Sequence, residues 1–269
     1  MGLTLEGLGV HTSRQGPKAV GRANTDKRKG VMGMRHMRML PVLLGAMVAL
    51  IVGAAGPEAW AAKKKLAITK IYFEFNSSAN DLGVHVFLDG EDWRTLRIVN
   101  PEGTTIFEVE GNGPYANLGL TELFFEGAEP SLDDFPLQDL LALFPEGRYN
   151  FRGKTVEGDE TVGTGTLSHA IPAGPSIHLP VSVGPNNSLI ISWAKVTGPP
   201  DGDFPVEHIN IVGYQVIVGA FQVTVPATKT SVTVTPEFVE SLVSGTHPFE
   251  VLAIEASGNQ SITEGSFTK

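Results

Sequence analysis

There is no cysteine anywhere in this 269-residue chain. That absence rules out disulfide staples, thiol catalysis, thiolate-ligated metal and lipid attachment through a cysteine. Basic residues are scarce beyond residue 61. Eight of the 20 Lys and Arg but three of the 29 Asp and Glu lie in residues 1–61, which leaves 12 against 26 and a formal charge of −14 in residues 62–269. The basic cluster of that part, Lys63-Lys64-Lys65, is small beside so acidic a surface, so no nucleic-acid partner is expected.

The usual catalytic signatures are missing as well. The sequence has no G-x-S-x-G elbow, no H-E-x-x-H, no Walker loop and no glycine-rich turn opening a helix. His85, His169, His178, His208 and His247 stand singly in expected strands and loops, where packing or surface exposure is a commoner role than ligation. No enzyme is expected.

Long apolar runs are absent but for one, LPVLLGAMVALIVGAA at residues 40–55. Arg35 and Arg38 precede it, and Ala59-Trp60-Ala61 places small residues at −3 and −1 of a cleavage after Ala61. A basic flank, a short apolar segment and an A-x-A site describe a secretory signal peptide over 34–61. The run is shorter than the 20 or so residues that span a bilayer and ends at Gly56-Pro57-Glu58, so no membrane span is expected after cleavage. Residues 1–33 lack an apolar period and read as a disordered or mis-started extension. The expected location is secreted or periplasmic.

Beyond Ala61 the 208 residues suffice for two domains of ordinary size, and the patterning is all-β: two tandem β-sandwich domains, the first with one short helix. In the first, 66–170, strand-like runs at 67–75, 83–88, 95–99, 105–109 and 121–125 are bounded by Asn, Asp, Gly or Pro. Val84, Val86 and Leu88 alternate with His85 and Phe87, as in a strand buried more deeply on one face. Leu137, Leu140, Leu141 and Phe144 fall at helical spacing over 135–144, with Asp133 and Asp134 placed to cap the helix and Pro145 to stop it. Glu157-Gly158-Asp159-Glu160 reads as a hairpin turn with Gly158 and Asp159 suited to positive φ.

Residues 171–174 form a short proline-bearing linker, and 175–269 carry a second set of short strand-like runs. Leu189-Ile190-Ile191-Ser192-Trp193 resembles the second strand of a fibronectin type III domain with Trp193 as its core tryptophan. Gly213-Tyr214-Gln215-Val216 resembles the third, with Tyr214 as its core aromatic. The stretches 242–246 and 249–259 resemble the turn and sixth strand of that family. The resemblance covers roughly the last 95 residues and implies an immunoglobulin-like sandwich; it departs from the family at His247, which stands where the tyrosine-corner residue would be. Such modules serve adhesion, scaffolding and enzyme accessory roles, so membership does not specify activity.

Acidic stretches supply the candidate sites. Asp89, Glu91 and Asp92 occupy an expected turn, and Asp201 and Asp203 an expected loop between the second and third strands of the later domain. Either set offers part of the oxygen shell calcium requires, although neither matches a known calcium loop. No cofactor is expected, calcium being the ion these stretches can hold. Trp93, Tyr115, Phe204 and Phe221 are the aromatics placed near loops, where an exposed ring stacks on a partner. N-x-S/T triplets begin at Asn76 and Asn259, among others. The reading is an exported, non-catalytic binding, adhesion or scaffold protein with a protein or carbohydrate partner at the cell envelope. The alternative is a carbohydrate-active hydrolase or accessory sugar-binding protein whose acidic residues Asp89, Asp92, Asp201 and Asp203 meet in one cleft.

Overall fold

The computed structural model describes residues 63–269, which belong to one compact unit. The extension, the apolar run and the cleavage site lie outside the described residues.

The first half contains β1 (Lys63–Lys65), β2 (Ile68–Asn76), β3 (Asp81–Val99), β4 (Thr105–Glu110), α1 (Pro114–Leu118), β5 (Leu120–Glu126), α2 (Leu137–Leu143), β6 (Gly147–Thr155) and β7 (Glu160–Leu167). Alternation decides which side chains enter its core. Ile71, Phe73 and Phe75 of β2 and Leu82, Val84, Val86 and Leu88 of β3 are buried at every second position, together with Leu96, Ile98, Tyr149 and Phe151. The two-stranded turn between β2 and β3 closes on Asn80 at φ 55°, a backbone setting that asparagine tolerates better than most residues.

Where the sequence suggests two strands joined by an acidic turn, β3 is a single strand of 19 residues. Up to Asp89 it pairs with β2 and β5, Trp93 lies between Leu120 of β5 and Thr155 of β6, and from Thr95 onward the partners are β4 and β6. Asp89-Gly90-Glu91-Asp92 is therefore a bulged bend within a strand rather than a loop, with register shifts between Asp89 and Trp93 and between Trp93 and Thr95. Glycine lets the bend pack on the buried Leu66 side chain: a Cβ on Gly90 would sit 2.4 Å from Leu66 Cδ2, which would have to move. Trp93, next to the bend, is wholly buried.

The expected helix over 135–144 is α2, which buries Leu137, Leu140 and Leu141. Its expected acidic cap does not form. Pro136 holds the N-cap position, and Asp133 Oδ1 instead accepts a hydrogen bond from Asn80 Nδ2 at 3.1 Å. In the hairpin between β6 and β7, Gly158 takes a φ of 94° and Asp159 does not need a positive φ.

The second half contains β8 (Val183–Gly184), a 3-10 turn (Pro185–Asn187), β9 (Ser188–Ser192), β10 (Ile211–Val218), β11 (Phe221–Pro226), β12 (Ser231–Val234), α3 (Pro236–Ser241), β13 (Thr246–Glu255) and β14 (Gln260–Thr268). The second and third strands implied by the resemblance are β9 and β10. Trp193 and Tyr214 are both buried with ring centres 5.2 Å apart, and Tyr214 Oη accepts a hydrogen bond from the Val196 N–H.

The two halves repeat one pairing plan, which their sequences conceal. In the second half β10 pairs with β11 and β13, β13 with β14, and β9 with β8 and β12. In the first half the later part of β3 pairs with β4 and β6, β6 with β7, and the earlier part of β3 with β2 and β5. A short helix precedes the long hairpin each time. So does a back-bond over four residues: Tyr149 Oη donates to the Pro145 carbonyl at 3.0 Å, and His247 Nε2 donates to the Val243 carbonyl at 2.8 Å. Histidine thus fills the corner position in the second half.

The halves meet edge to edge. β2 and β14 run parallel, with Glu74, Phe75 and Asn76 opposite Gln260, Ser261 and Ile262, so each covers an edge the other would expose. The linker is held in place. Asn259 Nδ2 donates to the Ser168 and Ala170 carbonyls, Ser261 Oγ donates to the Pro172 carbonyl, and the Ala173 N–H donates to the Gly198 carbonyl. Asn259 is 1% exposed, which closes its glycosylation triplet to any modifying enzyme in the folded chain.

Candidate functional site

The face of β2, β3 and β5 turned away from the core carries a different set of side chains. Strand pairing sets Tyr72 opposite His85 and His85 opposite Glu126, while Glu74 lies two residues beyond Tyr72 on the same face. Glu129, in the segment after β5, reaches over Gly83: a Cβ at Gly83 would lie 2.5 Å from Glu129 Cγ.

These groups converge on a buried imidazole. His85 is 4% exposed, and its Nε2 makes no hydrogen bond. That nitrogen lies 3.5 Å from Glu129 Oε1, 3.7 Å from Glu74 Oε1 and 4.0 Å from Glu126 Oε1, each beyond ordinary hydrogen-bond length. Tyr72 and Phe124 flank the imidazole, with ring centres 5.2 and 5.9 Å away. Gln260 of β14 donates a hydrogen bond to Glu74, so the second half also supports the cluster.

Crowding of carboxylates sets the electrostatics. Burial, followed by the neighbouring Glu126, pushes the Glu129 carboxyl up to about 7. Burial raises Glu74 as well, against the opposing pull of His85 and the Gln260 hydrogen bond. Tyr72 is pushed up to about 12, by burial first and then by Glu74 and Glu126. Asp81, nearby at the start of β3, has a buried Oδ1 with no hydrogen-bond partner and is raised by burial, then by Glu264 and Glu126.

Beside the cluster lies a groove of about 750 Å3, lined by Lys70, Tyr72, Phe87 and Phe124 from the first half and by Ile254 of β13 and Gly258 of the β13–β14 turn from the second. Phe124 stands 58% exposed at its rim.

The acidic residues singled out from sequence lie elsewhere, and they do not meet. Glu91 and Asp92 face Lys64 Nζ at 4.0 and 3.8 Å, and Glu157 joins them at 4.0 Å, so three carboxylates share a counter-ion from the chain itself. Asp92 shares a hydrogen bond with Glu157, which holds its carboxyl above the ordinary range. Asp89 sits within β3 opposite Ile68 and Glu122. Asp201 and Asp203 border a separate hollow with Asn80, Leu137 and Gln138, whose Nε2 donates to the Asp203 carbonyl at 3.0 Å.

Among the aromatics, Trp93 and Phe204 are buried in the first core and Phe221 packs on Phe238 in the second, whereas Tyr115 is exposed. Phe124 and Tyr72 lie in strands whose sequence reads as ordinary alternation, which singles out neither. His85 appears in sequence as a lone strand histidine. The signal that could have found it is period-two alignment of His85, Tyr72, Glu74 and Glu126 on one face, which requires the strand register.

No protein-family model matches this chain, nor does any curated protein. Among solved structures, the spore cortex lytic enzyme SleM of Clostridium perfringens is 16% identical over 37% of this chain and 28% of its own, at a TM-score of 0.27. The FN1–FN3 domains of chicken CNTN1 are 14% identical over 76% of this chain and 65% of theirs, at 0.27. A 1.5-MDa bacterial ice-binding adhesin is 17% identical over 77% and 64%, at 0.24. The chain thus spans less than two thirds of each of these structures. Likeness at this level assigns neither activity nor partner.

Proposed function

We propose that this chain is an exported, non-catalytic binding or adhesion protein, secreted or periplasmic, built from two sandwich modules of which the second is fibronectin type III-like. Its partner is a protein or carbohydrate of the cell envelope. The observation that supports this reading is the groove spanning both halves. Tyr72, Phe87 and Phe124 offer aromatic faces there, and such faces stack on apolar partner surfaces, including sugar rings. The groove depends on the fixed pairing of β2 with β14, since its two walls come from different halves. No helix among the described residues is long and apolar enough to cross a membrane.

The test is capture of partners from an envelope fraction, and from an array of glycans, by the wild-type protein and by Phe124→Ser. Because Phe124 is largely exposed, the variant keeps the wild-type melting temperature and loses at least about tenfold in binding, corresponding to roughly 1.4 kcal/mol. Undiminished capture by Phe124→Ser overturns the assignment of the groove, and turnover of a captured glycan overturns the non-catalytic reading.

A further inference from the structure

We propose that Glu74, His85 and Glu129, with Glu126 at the open side, form a binding site for a divalent transition-metal cation of the zinc class. The inference stands without the binding reading above, because it rests on the cluster alone. The ligand atoms of Glu74, His85 and Glu129 all lie within 4.8 Å of one another.

Two independent observations point to a cation here. One is the imidazole: a histidine 4% exposed, with an Nε2 that makes no hydrogen bond and faces three carboxylates, is a buried polar atom whose partner is unaccounted for. The other is spacing. Ligand atoms about 2.1 Å from a tetrahedral zinc ion lie about 3.4 Å from one another. Nε2 stands 3.5 Å from Glu129 Oε1 and 3.7 Å from Glu74 Oε1, so small side-chain rotations close the shell.

The surroundings suit the same occupant. Gly83 leaves the space through which Glu129 passes, and the Gln260 hydrogen bond orients the Glu74 carboxylate. Glu126 and Glu129 are partly exposed, which provides an entry path and room for a water ligand. The carboxylates of Glu74 and Glu129, whose ligand oxygens lie within 4.8 Å of each other, repel, and a dication between them relieves that repulsion. The donor set decides the class. One imidazole with carboxylates fits zinc or a neighbouring transition metal, whereas calcium needs six to eight oxygens and has no use for the nitrogen.

The experiment is equilibrium dialysis of the metal-stripped, purified full chain against Zn2+, Mn2+, Ca2+ and Mg2+ separately, with metal content and melting temperature as readouts. The site binds about one Zn2+ per chain beyond any held by His11 and His36, so the chain with both of those changed to Ala still binds it and melts at higher temperature with zinc. Glu129→Gln weakens this binding by about tenfold or more, at least the loss seen when a group that merely supports a ligand is removed. Without metal, Glu129→Gln removes one of two carboxylates whose ligand atoms lie within 4.8 Å and melts at or above the wild-type temperature, so lost binding cannot be put down to misfolding. Gly83→Ala, which keeps every ligand residue but forces Glu129 to move, also weakens binding. Zinc uptake unaffected by Glu129→Gln, no zinc uptake, or saturation by Ca2+ with indifference to Zn2+ each overturns the proposal.

Discussion

Asn259 Oδ1 accepts a hydrogen bond from the Phe73 N–H at 2.8 Å, across 186 residues of sequence. The Asn259 side chain thereby continues the β2–β14 ladder one step past its last backbone pair, Glu74 with Gln260. Its Nδ2 donates to the carbonyls of Ser168 and Ala170 at 2.8 and 3.1 Å, so one amide joins β2, the segment that follows β7 and the β13–β14 turn. Replacing it with Ala leaves a buried N–H and two carbonyls unpaired. Asn259→Ala is expected to lower unfolding stability by about 2–4 kcal/mol in urea titrations.

Tyr214 makes a comparable bond inside the second core. Its hydroxyl accepts from the Val196 N–H at 2.9 Å in buried surroundings. Tyr214→Phe keeps the ring and its contact with Trp193 but strands that N–H, at a cost of about 1–3 kcal/mol by denaturant unfolding.

The matched corners predict unequal effects. The Tyr149 bond to the Pro145 carbonyl is partly buried, whereas the His247 bond to the Val243 carbonyl is open to water. Tyr149→Phe therefore costs about 1 kcal/mol, and His247→Gln less, when the two are compared by thermal unfolding.

Glu250 and Glu264 face each other directly across β13 and β14. Burial first, and then Glu264, raises the Glu250 carboxyl above its ordinary value. A raised folded-state value means that ionising Glu250 weakens the fold. Stability is greatest below the ordinary carboxylate range and falls as pH rises through the raised value. Glu250→Gln should thus be more stable than wild type at pH 7, by about 0.2–1 kcal/mol, and lose that advantage near pH 3. Melts at the two pH values check the sign.

Local rules carried much of the architecture. Alternation in residues 82–88, the helical spacing of Leu137, Leu140 and Leu141, and the Trp193 and Tyr214 positions all appear where their patterns place them. The acidic stretch Asp89-Gly90-Glu91-Asp92 misleads because Gly flanked by carboxylates has the composition of a turn, while Asp89 and Trp93 at its two ends keep strand partners on both sides. The Glu74–His85–Glu129 cluster was out of reach for another reason. Its members come from two strands and a following segment, and only inter-strand register brings them onto one face. Likewise, nothing local to Asn259 announces that its amide spans the two halves.

The central claim is that the halves form one rigid body, because the groove and the support of Glu74 by Gln260 both require it. Scanning calorimetry of the purified wild-type protein and of Asn259→Ala tests this most directly. A single cooperative transition in the wild type, with calorimetric and van't Hoff enthalpies equal, and its separation into two in Asn259→Ala, is the expected result. Two independent wild-type transitions whose midpoints do not move in Asn259→Ala would contradict it.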